Sequence, residues 1–76
     1  CHSNYGSPEI EPWRSWQGSM LAQAGRDPLM YAAMAIANQD APNAGELCVR
    51  CHMTKGWLEG RSTPPDASAT TADDRQ

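Results

Sequence analysis

Cys48-Val49-Arg50-Cys51-His52 forms a C-x-x-C-H motif in the second half of the chain. This pattern is the signature of covalent haem attachment. Two cysteines three positions apart lie on the same side of a helical turn, so both thiols can form thioethers with the vinyl groups of one porphyrin. The adjacent histidine can then bind the iron. The motif therefore predicts a short helix that holds haem through Cys48, Cys51 and His52.

Two other uses of these residues stay open. A reactive C-x-x-C dithiol usually begins a helix beside a strand, and the sequence has no strand pattern. A zinc ion bound by Cys1, Cys48 and Cys51 with His2 or His52 would have four tetrahedral ligands. Zinc modules place their ligand pairs much closer in sequence than Cys1 and Cys48, and they need no histidine directly after the second cysteine. Haem is therefore favoured over both.

The chain begins with Cys1-His2, which matches the last two residues of another C-x-x-C-H motif. On that interpretation Cys1 forms a thioether and His2 ligates a second iron, so the chain contributes to two haem sites. The interpretation also accounts for the odd number of cysteines, three, which a disulfide framework cannot use up. The alternative is a lipid-modified cysteine followed by an incidental histidine.

The composition of the chain predicts a weak core. Its 76 residues and 8.3 kDa allow one domain at most, and chains of this size bury only about 60% of their unfolded surface. Phe is absent and the mean hydropathy is −0.66. Small scaffolds usually depend on a disulfide, a metal or another staple. We therefore expect a small, loop-rich, all-α fold with few short helices packed around covalently bound haem.

The charge pattern argues against nucleic acid as a partner. The net charge is −3, and the six Lys and Arg residues form no basic stripe that would neutralise phosphates. The apolar runs are too short to span a bilayer, and no secretory leader is recognisable. We expect the chain to be mature or a fragment of a longer protein.

Helical spacing of apolar residues predicts a first helix over residues 13–24. The residues that share its face are Trp13, Trp16, Met20 and Ala24. Residues 1–12 are rich in Ser, Gly, Pro and Asn, so no regular element is expected there.

Asp27 followed by Pro28 predicts the start of a second helix over residues 28–38. Aspartate can accept hydrogen bonds from free amides, and proline suits the first helical position, where its missing donor costs nothing. The helix is apolar nearly all round, so we expect most of its faces to be buried.

A third helix is predicted to begin near Asn43 and to end near Gly56, with the C-x-x-C-H motif on it. Asn43 and Glu46 have the spacing of a reciprocal cap. Residues 62–76 are polar, small and without periodicity, so they are predicted to be a tail or linker. The predicted haem-binding segment is therefore residues 1–61.

Several stretches outside the motif share a pattern with one protein family. They are Cys1-His2, Glu11-Pro12-Trp13, Trp16-Gln17-Gly18-Ser19-Met20, Gly25-Arg26-Asp27-Pro28, the Ala-rich helix and Gly56-Trp57-Leu58-Glu59-Gly60-Arg61-Ser62. With the motif, they make most of residues 1–65 resemble the multihaem c-type cytochromes of bacteria. The resemblance implies closely packed haems that pass electrons in the periplasm or outside the cell, because bacteria attach haem c outside the cytoplasm. Only one complete motif is present, which leaves the number of haems open.

The sixth iron ligand is predicted to come from a methionine or from outside this segment, because His2 and His52 would each serve their own haem. The candidates in the chain are Met20, Met30 and Met34. Met20 is favoured as a metal ligand because Gly18 and Ser19 beside it leave room for a porphyrin. The other two are expected to be ordinary core residues.

Aromatic and basic residues supply candidate contacts to the haem. We expect Trp13, Trp16, Tyr31 and Trp57 to pack on porphyrin faces or edges. Arg26, Arg50 and Arg61 could bind haem propionates through their planar guanidinium groups, or could be solvated surface residues.

Electron transfer by a six-coordinate haem, without catalysis, is the favoured function. A haem enzyme fragment with an open iron site is an alternative, but both histidines are already assigned, so no acid–base group supports it. A zinc-stabilised interaction module is another. The resemblance implies other haem domains or cytochromes as redox partners, with a membrane oxidoreductase as a further candidate, and a location that is periplasmic or extracellular, including attachment to a membrane.

Overall fold

The computed structural model describes residues 4–76, and this part of the chain is helical and contains no strand. The α-helices are α1 (Pro12–Gln17), α2 (Pro28–Asp40), α3 (Gly45–His52) and α4 (Thr54–Leu58). Three 3₁₀ segments accompany them, at Pro8–Ile10, Leu21–Arg26 and Asp73–Arg75. The predicted all-α fold with few short helices is confirmed. None of the helices in residues 4–76 is long and apolar enough to cross a membrane.

The predicted first helix is divided in the structure. α1 ends at Gly18, whose N–H donates to the Trp16 carbonyl, and the chain resumes as the 3₁₀ segment Leu21–Arg26. The Ser19 hydroxyl accepts a hydrogen bond from the Ala22 N–H at 3.3 Å. Such local side-chain bonds compete with a continuous helix, so apolar spacing alone overestimated its length. A 3₁₀ turn also occurs at Pro8–Ile10, where no regular element was predicted.

The start of α2 is as predicted, whereas its burial is not. Asp27 accepts a hydrogen bond from the Leu29 N–H at 2.9 Å, and Pro28 occupies the first turn. Only Met30 and Met34 of this helix are buried, and Leu29 and Ile36 are exposed. The expectation that most faces would be buried is therefore wrong for the described residues, because the other elements pack on the methionine face alone.

The predicted cap of the third helix is also wrong. Asn43 makes no side-chain cap, and the N–H of Gly45 instead donates to Oδ1 of Asn38 at 2.8 Å. The Glu46 carboxylate accepts a hydrogen bond from the Trp57 indole at 3.1 Å. The helix does carry the C-x-x-C-H motif, but Met53 interrupts it with φ −139° and ψ 55°. α4 then continues past the predicted end to Leu58.

Methionine dominates the small core. The buried cluster consists of Met30, Met34, Val49, Met53 and Ala67, with Tyr31, Cys48 and Trp57 packed against it. The prediction that the two α2 methionines are core residues is confirmed. Methionine is flexible and fills irregular gaps between short helices, which explains how a chain without Phe closes its core.

Residues 62–76, predicted as a tail or linker, fold back onto the helices. Ala67 lies in the core at 1% exposure, and the Pro65 carbonyl accepts a hydrogen bond from Nδ2 of Asn38 at 2.8 Å. Asp74 is 2% exposed although it is charged. The segment is held by a few specific polar contacts, and such contacts leave no periodic pattern in the sequence.

Asp74 is the most heavily bonded side chain of this segment. Arg61 donates to both of its carboxylate oxygens, from Nε at 2.8 Å and from Nη2 at 2.5 Å. The N–H and the hydroxyl of Thr71 donate to Oδ2 at 2.7 and 2.9 Å. The Arg61 guanidinium, with help from Thr71, holds the pKa of Asp74 well below its usual range despite the opposing effect of burial.

We predict that Gly45→Ala destabilises the chain by about 1–3 kcal/mol or more through overpacking. A methyl group there would collide with the Pro65 carbonyl and would lie 2.6 Å from Nδ2 of Asn38 and 2.8 Å from Cγ of Met34. Denaturant unfolding measures the change. The control is Gly18→Ala, whose new methyl would meet only the Ser15 carbonyl at 3.9 Å and should stay within about 0.5 kcal/mol. Equal effects of the two substitutions would contradict the packing.

We predict that Asp74 makes stability depend on pH in the acid range. Its folded-state pKa is depressed, so its contribution is complete above the unfolded pKa of about 3.9 and is lost as the pH falls below that value. The free energy of unfolding, measured between pH 6 and about 2, should fall more steeply for the natural chain than for Asp74→Asn. Asp73→Asn is the control, because the Asp73 side chain is 74% exposed. Parallel curves for the natural chain and Asp74→Asn would refute the prediction.

Candidate functional site

α3 presents the C-x-x-C-H motif beside its core-facing stripe. Gly45, Val49 and Met53, spaced four residues apart, are buried, and Val49 is 0% exposed. The residues on the neighbouring stripe are Cys48, Cys51 and His52. Both cysteines are free thiols, Cys48 half-buried against the core and Cys51 exposed. The helix thus brings the three predicted haem-binding residues of the motif together while Val49 anchors it.

The His52 imidazole contacts the main chain of the 3₁₀ segment Leu21–Arg26. Its Nδ1 lies 3.2 Å from the carbonyl oxygen of Ala24. A carbonyl oxygen only accepts, so Nδ1 carries the proton in this contact. The other ring nitrogen, Nε2, is then left with its lone pair in neutral imidazole. Histidines that ligate metals usually have their second nitrogen bonded in this way.

Close backbone packing at Gly25 sets the position of the Ala24 carbonyl. A methyl group at Gly25 would lie 3.0 Å from the His52 carbonyl oxygen and 2.9 Å from Cα of Arg75. The Gly25 carbonyl also accepts a hydrogen bond from the Tyr31 hydroxyl at 3.0 Å. The absence of a side chain at position 25 therefore allows the 3₁₀ segment Leu21–Arg26 to approach the end of α3.

An open apolar groove lies beside His52. Its volume is about 590 Å³, and its wall includes Met20, Leu21, Leu29 and Arg26 together with His52. The first three are 87%, 75% and 76% exposed, although each is a large apolar side chain. Apolar side chains clustered around a concave surface typically mark a ligand site. The groove is therefore a candidate site for an apolar ligand beside His52.

A second cavity of about 240 Å³ contains Cys51, His52 and Trp16 in its wall. The Trp16 ring packs against Trp13 with their centroids 4.9 Å apart. Cys51 and His52 are therefore accessible from a space that an aromatic side chain also borders. Of the three predicted haem-binding residues of the motif, Cys48 is the least accessible, because it packs against the core cluster.

The three arginines considered for propionate binding have different surroundings. Arg26 lies in the wall of the 590 Å³ groove. Arg50 places its guanidinium 5.0 Å from the centroid of the Trp57 ring, and Arg61 is paired with Asp74 and Glu59. Arg26 is therefore the arginine best placed to bind a carboxylate group in the groove.

Cys1 and His2, predicted to belong to a second haem site, lie outside the described residues. Within residues 4–76, no three side chains of His, Cys, Asp or Glu form a group that could hold a metal ion. The zinc hypothesis needs Cys1, so the described residues cannot complete its ligand set. Met20, the predicted sixth ligand, lies in the same groove as His52.

Sequence reasoning missed the Ala24 carbonyl, which orients His52. A backbone carbonyl of alanine has no signature in residue type. In comparisons with known proteins, no family model, curated protein or solved structure matches the chain. The functional conclusion therefore depends on the chemistry of the chain's own residues.

Proposed function

We propose that the chain binds haem covalently through Cys48 and Cys51, with His52 as an axial iron ligand, and transfers electrons. The observation that carries this proposal is the His52 imidazole, which is tied through Nδ1 to Ala24 and borders an open apolar groove. The C-x-x-C-H spacing supplies the attachment chemistry. When bound, the haem supplies one-electron redox chemistry.

The residues of the site fit this cofactor. Cys51 is an exposed thiol next to His52, and Cys48 lies one turn away on the same helix. The exposed side chains of Met20, Leu21 and Leu29 supply apolar contacts. Arg26 in the groove wall can donate to a propionate. These features support the proposal that the chain binds haem.

Met20 is our proposed sixth ligand. It shares the groove with His52, and it is 87% exposed. The other methionines are buried in the core cluster, which commits them to packing. Ligation by His and Met tends to raise the haem potential, so this ligand pair would give the bound haem a relatively high midpoint potential.

An open-site haem enzyme is less well supported. His52 is the only histidine in residues 4–76, and its proposed place is on the iron, which leaves no second imidazole there for acid–base catalysis. We therefore propose an electron carrier rather than an enzyme. Other haem domains or cytochromes remain the proposed partners, a periplasmic or extracellular place the proposed location, and Cys1 and His2 the proposed second haem site.

The proposed function predicts that the chain carries a covalent haem. Expression with a bacterial haem-attachment system should give a coloured chain whose pyridine haemochrome is of the c type, and whose intact mass is raised by one haem or more. Cys51→Ser should lose one thioether, and His52→Ala should lose the six-coordinate spectrum. Ser62→Ala, outside the motif, is the control and should keep both. A colourless chain that binds zinc stoichiometrically would refute the proposal and favour the zinc module.

The proposed sixth ligand predicts a spectroscopic effect of substituting Met20. Met20→Leu keeps the apolar volume but removes the sulfur, so it should abolish the weak sulfur-to-iron charge-transfer band of the oxidised haem and lower its midpoint potential. Leu29→Ala, a change in the same groove without a sulfur, should preserve the band. An unchanged band in Met20→Leu would assign the sixth position to another group.

A further inference from the structure

The 62–76 segment reaches the side of the 3₁₀ segment that supports His52. Cα of Arg75 lies 2.9 Å, and its carbonyl carbon 3.2 Å, from the position that a methyl group on Gly25 would occupy. Gly25 directly follows Ala24, whose carbonyl accepts the hydrogen bond from His52. Asp74 and Gln76 also line the 240 Å³ cavity with Cys51 and His52. The backbone near Arg75 is therefore one residue away from the group that orients the imidazole.

Asp74 fixes this part of the segment. Its side chain is 0% exposed, whereas the Arg61 side chain that binds it is 28% exposed. A methyl group on Gly56 would lie 3.0 Å from Cγ of Asp74, so the carboxyl group packs directly on α4. With the Arg61 and Thr71 hydrogen bonds, these contacts satisfy a buried charge, which otherwise would be strongly destabilising.

The preceding residues anchor the segment in the core. Ala67 is buried among the core methionines, and its carbonyl accepts a hydrogen bond from the Thr70 hydroxyl at 2.7 Å. Arg75 donates from Nε to the same hydroxyl at 3.1 Å. Thr70 thus links the Asp73–Arg75 turn to the core, and Asp74 packs the turn on α4. The backbone of Arg75 lies against Gly25.

We propose that Asp74 is a positioning residue for His52: bound by Arg61 and Thr71, it holds the Asp73–Arg75 turn against Gly25 and so fixes the Ala24 carbonyl that orients the imidazole. The functional part rests on the proposed role of His52 as iron ligand. A hydrogen bond from Nδ1 raises the basicity of a ligating histidine. Release of the turn would therefore weaken electron donation from His52 and raise the haem midpoint potential.

The test compares Asp74→Ala with Asp73→Ala in the full chain. Asp73 is the matched control, because it is in the same turn but its ion pair with Lys55 is 3.9 Å long and exposed. The ring ¹⁵N shifts of His52 report the Nδ1 hydrogen bond directly, in the reduced haem-bound chain or without haem. We expect Asp74→Ala to shift the Nδ1 resonance and to raise the potential, and Asp73→Ala to change neither.

Arg61→Lys is the second variant, and it decides the test if Asp74→Ala loses its helical circular dichroism. Lysine keeps the charge but loses the two-pronged geometry, so a smaller shift in the same direction is expected. A folded Asp74→Ala or Arg61→Lys with unaltered His52 resonances would overturn the proposal, as would an equal shift in Asp73→Ala. Absence of covalent haem would refute the proposed function, whereas the ¹⁵N shifts would still decide the positioning role.

Discussion

Three backbone segments meet at Gly25, and the site depends on their close approach. A methyl group at position 25 would lie 3.0 Å from the His52 carbonyl oxygen, at the end of α3, and 2.9 Å from Cα of Arg75. Because no side chain separates them, Ala24 can present its carbonyl to the His52 ring. Main-chain packing at Gly25 therefore sets the position of the carbonyl that the imidazole contacts.

α3 carries the C-x-x-C-H motif and its own anchor to the core within two turns. Val49 lies inside the C-x-x-C-H motif and is completely buried, and Met53 follows it one turn later in the same core. The thiol of Cys51 and the ring of His52 are on the exposed side of the helix. The variable positions of the motif are therefore not equivalent: Val49 holds the helix in place, whereas Arg50 is exposed and stacks on Trp57.

Local rules predicted the features that depend on neighbouring residues. The Asp27 cap, the all-α class and the core role of Met30 and Met34 follow from adjacent side chains and spacing. Two of the predictions that failed involve distant residues, whereas the division of the first helix accompanies a local hydrogen bond of Ser19. The side chain of Asn38, and not that of the predicted Asn43, caps α3. Asp74 binds Arg61, which is 13 positions away in the sequence. Neither pairing has a periodic signature, and the same holds for the contact of Ala24 with His52, 28 positions apart.

The exposed apolar groove gives a physical reason for a tethered cofactor. Burial of one leucine or methionine side chain contributes about 1.5–3 kcal/mol, and Met20, Leu21 and Leu29 are all largely exposed. Covering the three would add several kcal/mol, a sum comparable to the whole stability of about 5–15 kcal/mol of a typical domain. A groove this open could hold a free ligand only weakly. Thioethers from Cys48 and Cys51 would make the contact intramolecular, so even modest apolar contacts would hold the ligand in place.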